Sequence, residues 1–420
     1  MMFSDFGKRF AGPSGALDLM DDMGQALAAG DDGVMMLGGG NPGRIPAMRE
    51  LFMQRLAEVA VDPDSFDRMF ANYSAPAGDL DFRRSLARLL KSHCGFDVSE
   101  ENIALTSGSQ FSFFLLFNLL GGVFGGSDTK QILLPVTPEY IGYKDQGLVD
   151  NLFTARRSTI TELPDSLFKY RVDFDNLSTN ESLGAICVSR PTNPTGNVIT
   201  DHELSRLDGL AKQWQVPLIV DAAYGQPFPG INFVAAKPIW NENVILCLSL
   251  SKLGLPGIRT GIVVARPEIT RAISSCTAIM NLSVPSVGAV LLDEWVSSGK
   301  IIELGETHIK PFYQRKANRT LDALRSAMRG YPMRVHKPEG AMFLWVWFPG
   351  LPIHCKQLYA RLKARRVLVI PGHHFFPGLD EPWHHGQECL RLSYAQDQEA
   401  VGKGIGIIAE EVKRAFDEAI

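Results

Sequence analysis

Between residues 103 and 265 the chain alternates short, β-branched apolar runs with longer stretches of helical periodicity. Strand-like runs fall at 103–105, 131–135, 184–188, 218–220, 244–249 and 261–265. Between two of them, 201–215 puts Leu204, Leu207, Leu210 and Ala211 on one helical face. Strands that are apolar throughout must be buried on both faces, so the alternation predicts a mostly parallel sheet between layers of helix. After about Gly299 the pattern changes. A long helical stretch, 301–329, precedes an alternating strand at 341–348, a helix at 355–365 and strands at 367–370 and 389–394, and a last helix at 398–419 follows. This second part predicts a smaller α+β unit, with a boundary near residue 300.

The 420 residues suffice for two or three domains and a sizeable core. With 42 basic against 46 acidic residues the net charge is −4, and no dense basic run occurs. That balance argues against nucleic acid as a partner. The six cysteines (Cys94, Cys187, Cys247, Cys276, Cys355 and Cys389) are scattered without a CxxC pair, the pattern of reduced thiols in a cytoplasmic protein. Residues 1–10 lack the apolar core of a signal peptide. The greasiest stretch, 111–124, is broken by Ser112, Asn118, Gly121 and Gly122 and falls short of the roughly 18 apolar residues a membrane span needs. It reads as a buried helix.

The chemistry concentrates in LSLSKLGLPGIRTG at 248–261, directly after a predicted strand. In open α/β sheets the carboxyl edge of the strands is where ligands bind. Ser249 and Ser251 precede Lys252, and Arg259 follows after Pro256 and Gly257. Two hydroxyls and a guanidinium suit a phosphate dianion. A lysine amine beside Arg259 has its charged form disfavoured and becomes a nucleophile. An activated lysine next to a phosphate site points to pyridoxal 5′-phosphate.

Three further segments also follow predicted strands. In DAAY, Asp221 ends an apolar run; it could cap a helix, or meet a protonated pyridine nitrogen, while Tyr224 could reach the phenolic oxygen of the ring. In CVSRPTNPTGNV, the prolines and Gly196 force a turn that exposes Asn193, whose amide could hold the same oxygen. In TSGSQ, Gly108, Ser109 and Gln110 open a helix whose free N–H groups could cradle phosphate. Tyr140, in TPEYIGY, is either a core tyrosine or a stacking partner for an aromatic ring. Singly these are turn and cap signals. Together they supply each group the cofactor needs.

The order Asn193, Asp221, Tyr224, Lys252, Arg259 resembles the fold type I pyridoxal-phosphate-dependent aminotransferases. The resemblance runs through GGGNP (38–42), PEYIGY (138–143), SRPTNPTGNVIT (189–200), SLSKLGLPG (249–257), HKPEGA (336–341), PGHHFFPGLD (371–380) and RLSY (391–394). It implies a large domain (46–300) with a mostly parallel seven-stranded sheet sandwiched by helices, and a small α+β domain (301–420). It also implies an N-terminal segment (1–45) that packs with the small domain and the active site.

Carried over residue by residue, it implies Lys252 as the Schiff-base lysine and Asp221 as partner of the pyridine nitrogen. Asn193 and Tyr224 would bind the ring oxygen, Tyr140 would stack on the ring, and Gly108, Ser109, Gln110, Ser249, Ser251 and Arg259 would surround the phosphate. Arg391 would grip the substrate carboxylate, with Asn193 beside it and Gly40 in a loop that closes over the substrate. Tyr73 would cross a dimer interface to the neighbouring site.

The implied activity is a ping-pong exchange of an amino group between L-valine and pyruvate in a cytoplasmic homodimer of amino-acid biosynthesis. The alternative is another reaction on the same apparatus, an aminotransferase of different specificity or a C–S β-lyase. A ligand-binding regulator on this scaffold would add a basic helix-turn-helix, and none is visible before Gly38. Arg44 is either a second anion contact or a surface residue. His373, His374, His384 and His385 fall within thirteen positions, but adjacent pairs in a Gly/Pro-rich loop do not match zinc spacing. The sequence therefore predicts no metal, and a loop near the substrate entrance.

Overall fold

Side chains that alternate along the central strands enter two separate cores. Leu105, Leu133, Ile186, Val188, Leu218, Val220, Leu246 and Leu248 pack on one face. Ala104, Ile132, Leu134, Cys187, Ile219, Ile245 and Cys247 pack on the other. The second face is covered by helix Ser109–Leu120, through Phe113, Leu116 and Phe117, and by helix Pro267–Met280, through Ile269 and Ile273. Helix Asp201–Gln213 covers the first with Leu204, Leu207 and Ala211, close to the predicted span. Each such Leu, Ile, Val or Phe side chain contributes roughly 1.5–3 kcal/mol on burial, so one-residue slips in register are strongly disfavoured.

This computed structural model describes residues 3–12, 24, 33–177 and 182–419; the rest of the expected N-terminal segment lies outside them. The large sheet runs in the order Ile103–Thr106, Gly261–Val264, Val244–Ser249, Leu218–Asp221, Leu183–Ser189, Asp128–Leu134, with Phe153–Ala155 and Gly122–Phe124 both on Asp128–Leu134. Gly261–Val264 is antiparallel to both neighbours, and the principal strands are otherwise parallel. The sheet has eight strands where seven were expected. The eighth, Gly122–Phe124, folds back antiparallel on Asp128–Lys130, with Gly125 and Gly126 at positive φ in the reversal.

The boundary expected near residue 300 does not separate the sheets. The second sheet runs Ile370–Pro371, Cys389–Ser393, Phe343–Trp347, Arg334–His336, Leu167–Arg171, Thr159–Leu163. Its last two strands form a hairpin from inside the 46–300 range, pairing with Arg334–His336 at Leu167 and Phe168. Burial explains the choice: Phe168 and Tyr170 fill a core with Trp345 and Phe375. The N-terminal segment joins the same part of the molecule, as Met35–Met36 pairs in parallel with Val367–Leu368.

The long helical pattern at 301–329 is also interrupted. It forms Lys300–Leu304, a π-turn at Gly305–Ile309 and helix Lys310–Ala327. Pro311 has no N–H to donate, and its ring would crowd the carbonyl four residues back, so the helix widens just ahead of it.

Candidate active site

Parallel strands bring their carboxyl ends to one edge, and the predicted residues collect there. Strand Leu218–Asp221 ends on Asp221, and strand Val244–Ser249 runs into the short turn Ser251–Leu253 that carries Lys252. The chain then reverses into Gly261–Val264, whose first residue pairs with both Ser249 and Thr106. That reversal, unlike simple proximity in sequence, sets Arg259 beside Gly108.

The contact is close. Gly108, at φ +94°, begins helix Ser109–Leu120 without a side-chain cap, and a Cβ there would lie 2.2 Å from Arg259 Nη2. Any side chain at 108 would displace the guanidinium. An uncapped helix N-terminus, an exposed Arg259 and the buried Ser249 and Ser251 therefore form a cationic cradle. Ser251 N–H donates to Ser249 Oγ at 3.2 Å. The Gln110 side chain is engaged elsewhere: its Nε2 donates to Gly142 O at 2.9 Å and pins the turn after Tyr140, which leaves its place in the first turn of the helix unchanged.

Asp221 is buried and accepts from Tyr143 Oη at 2.7 Å and from Ala223 N–H at 2.9 Å. Burial pushes its pKa above the usual carboxylate range. Neither hydrogen-bond donor is a cation, so a protonated ring nitrogen matches what this carboxylate lacks. Sequence reasoning passed over Tyr143, although its i, i+3 spacing from Tyr140 hinted at a shared turn. It also passed over Glu139, which is 1% exposed and accepts from Ser189 Oγ–H, from Ser189 N–H at 3.0 Å and from Tyr140 N–H at 2.9 Å. Burial pushes Glu139 up to about 8 against those hydrogen bonds. Tyr140 and the strand end before Asn193 are tied together through this carboxyl.

Lys252 Nζ donates to Gly40 O at 2.9 Å and sits 5.1 Å from the centre of the buried Tyr224 ring. Its pKa falls from 10.5 to about 8. Burial is the largest cause, then Arg391, with Arg259 a smaller one and Asp221 opposing. The sequence predicted the direction but credited Arg259, because nothing in the chain order places residue 391 near 252.

Arg391 comes from the other sheet. On strand Cys389–Ser393 it is 4% exposed, donating to Asn193 Oδ1 at 2.7 Å and Gly38 O at 2.6 Å. Its guanidinium lies 4.1 Å from the Phe343 ring centre and 5.4 Å from that of Phe375. Its Nε is buried without a partner among the described residues, a donor free for a ligand's oxygen. Burial lowers its pKa to about 10, which keeps it charged at neutral pH.

The Asn193 loop is itself braced from the second sheet. Lys169, ion-paired with Glu339 in the interior, donates to Asn197 Oδ1 at 2.8 Å and Val198 O at 3.0 Å. Tyr73 stands apart at 82% exposure, with Ser74 Oγ donating to Val284 O at 3.2 Å. Arg44 is exposed. The histidines scatter: His384 is exposed near Glu388, His385 is buried against Tyr170 and Trp347, and His373 lies two residues from Phe375.

The class I and II aminotransferase family matches residues 41–408. The valine–pyruvate aminotransferase of Escherichia coli (strain K12) is 47% identical over 419 residues, covering 100% of both chains. A crystal structure of the valine-pyruvate aminotransferase AvtA from Salmonella typhimurium LT2 matches with a TM-score of 0.89 at 47% identity, over 96% of this chain and 100% of that one. A multiple substrate aminotransferase from Thermococcus profundus, 20% identical, shares the fold with a TM-score of 0.80 over 99% and 98% of the two chains.

Proposed function

The chain belongs to the class I and II aminotransferases, and from that premise we propose that it exchanges the amino group between L-valine and pyruvate, giving 3-methyl-2-oxobutanoate and L-alanine, with pyridoxal 5′-phosphate as cofactor. One observation carries the reading: Lys252, an amine whose pKa is lowered to about 8, sits at the sheet edge within the field of the Asp221 carboxylate and the Arg391 guanidinium. The choice of valine rests on the full-length 47% identity with the E. coli enzyme.

When bound, the cofactor supplies an aldehyde that joins an amino group and a cationic ring that draws electrons from the neighbouring C–H bond. Asp221, oriented by Tyr143 and the Ala223 amide, holds the charge on the ring nitrogen. Asn193, whose Oδ1 accepts from Arg391, would offer its NH2 to the ring oxygen, and Tyr224 would be the second donor to it. Ser109, Ser249, Ser251, Arg259 and the Gly108 backbone hold the phosphate. Arg391 takes the substrate carboxylate, exchanging part of its contact with Gly38 O for two parallel hydrogen bonds. Lys252 Nζ then takes the Cα proton, a role that needs a pKa near the working pH. The strip Gly38–Gly40 touches both cationic groups, Gly40 O accepting from Lys252 Nζ and Gly38 O from Arg391.

Half-reactions with a panel of amino acids test this reading: valine and alanine convert fastest, each leaving its 2-oxo acid. Pyruvate, thiol and ammonia released from a cysteine S-conjugate at a higher rate would replace it with a β-lyase. The lysine also sets a pH dependence. Its neutral form attacks the aldehyde, so covalent capture of pyridoxal phosphate by cofactor-free protein should rise about tenfold per pH unit and level off above the amine pKa of about 8. Stopped-flow absorbance measures this, and a limb still rising at pH 10 contradicts it.

The protein acts as a homodimer in this reading. Tyr73, Phe70, Met53, Ile279, Met280 and Leu282 are all at least half exposed in the single chain, apolar side chains that a second copy could cover. Sedimentation velocity should give a dimer, with Tyr73→Phe retaining the dimer but releasing cofactor faster; a monomer with full activity refutes it. The dispersed free cysteines suit a reducing, cytoplasmic setting. No described helix is long and apolar enough to cross a membrane.

A further inference from the structure

We propose that His354, Cys355 and His373 form a binding site for a thiophilic divalent cation, Zn2+ by its chemistry, separate from the lysine cleft. The sequence predicted no metal because no cysteine joins the histidines along the chain. The fold supplies one. Helix Cys355–Ala364 begins at Cys355 with His354 as its N-cap, and the short turn Gly372–Phe375 carries His373 onto it.

Cys355 Sγ lies 3.2 Å from His373 Nδ1 and 3.7 Å from His354 Nδ1, and one ligand atom from each residue falls within 4.8 Å of the other two. A tetrahedral zinc with sulfur at about 2.3 Å and nitrogen at about 2.0–2.1 Å sets S and N about 3.6 Å apart. Both measured edges bracket that spacing, so the three side chains need small rotations rather than a backbone rearrangement. One thiolate and two imidazoles exclude magnesium and calcium, which require oxygen. The fourth position would fall to water.

The turn that carries His373 is itself closely packed against the neighbouring turn and strand: a Cβ on Gly372 would lie 2.6 Å from Gly386 O and 2.7 Å from Cys389 Cβ. Two interactions oppose binding: the Cys355 thiol donates to Gly386 O at 3.6 Å, a bond its thiolate gives up, and a helix cap is the other. His354 Nδ1 accepts the Lys356 N–H at 3.0 Å, and coordination through that atom removes the acceptor from the helix cap. The other half of the capping box, His354 N–H to Gln357 Oε1 at 3.2 Å, survives. Binding also releases the thiol proton to solvent. The competing arrangement is a neutral thiol–imidazole hydrogen bond that merely packs the turn.

Untagged holoenzyme, freed of metal, is titrated with Co2+. The expected result is one equivalent giving intense visible d–d bands of a tetrahedral thiolate complex, displaced by Zn2+. Cys355→Ser should weaken binding by more than about tenfold, since losing a ligand exceeds the loss of an outer-shell partner. His354→Asn, which retains a capping side chain, should do the same with an unchanged melting temperature. Both variants should keep metal-free valine turnover. Weak octahedral absorption without saturation overturns the proposal, as does stoichiometric binding that neither variant alters.

Discussion

Replacing Lys252 by alanine should lower valine–pyruvate exchange by at least about 10⁴-fold, because in the proposed mechanism one side chain would both anchor the cofactor and move the Cα proton. The fold has little reason to suffer. Among the described residues Lys252 makes one side-chain hydrogen bond, to Gly40 O at 2.9 Å, and its amine is already disfavoured as a cation by burial and Arg391. Melting temperature and circular dichroism should match the wild type, while the long-wavelength absorption of the lysine-bound cofactor disappears. Borohydride should fix cofactor to the wild-type chain and not to the variant. A variant that keeps about a hundredth of wild-type turnover would falsify the assignment, since a group doing both tasks cannot be so dispensable.

Arg391→Lys should lower kcat/KM for valine by about 10²–10³-fold, mostly through KM. Truncating one partner of a buried, hydrogen-bonded charge pair costs about 2–5 kcal/mol, and the lost geometry acts in the same direction. The guanidinium reaches Asn193 Oδ1 at 2.7 Å and Gly38 O at 2.6 Å while lying 4.1 Å from the Phe343 ring centre. An ammonium has no planar fork and cannot occupy both directions at once. The control is isobutylamine, which has no carboxylate for Arg391 to hold. Its slow reaction should be nearly unaffected by the substitution. Equal losses for the amine and for valine would mean that Arg391 supports the fold rather than the substrate.

Much of the site could be read from the chain because α/β folds place chemistry at strand ends. Asp221 closes an apolar strand and Lys252 follows another, and both stand at the carboxyl edge that alternation alone predicts. Gly108 was readable for a related reason, since a small residue between a strand and an apolar helix marks an open helix N-terminus. Tyr143 and Glu139 were not readable. Their importance comes from what lies across the sheet, Asp221 in one case and Ser189 in the other, and pairing between distant strands leaves no local pattern. The hairpin of Thr159–Leu163 and Leu167–Arg171 escaped for the same reason, as its strands join the second sheet by pairing with Arg334–His336.

Local periodicity and turn chemistry depend on neighbours within a few residues, and so the amino-acid order alone determined the layered α/β core, the strand ends and the place of Lys252 just past one of them. Distances between remote segments depend on how finished layers pack. Only that packing decided that Arg391, more than Arg259, disfavours the Lys252 cation, and that Cys355 meets His373 eighteen positions away. A charge or a thiol acts through space at a few ångströms, and the chain brings such partners together only once both sheets have formed.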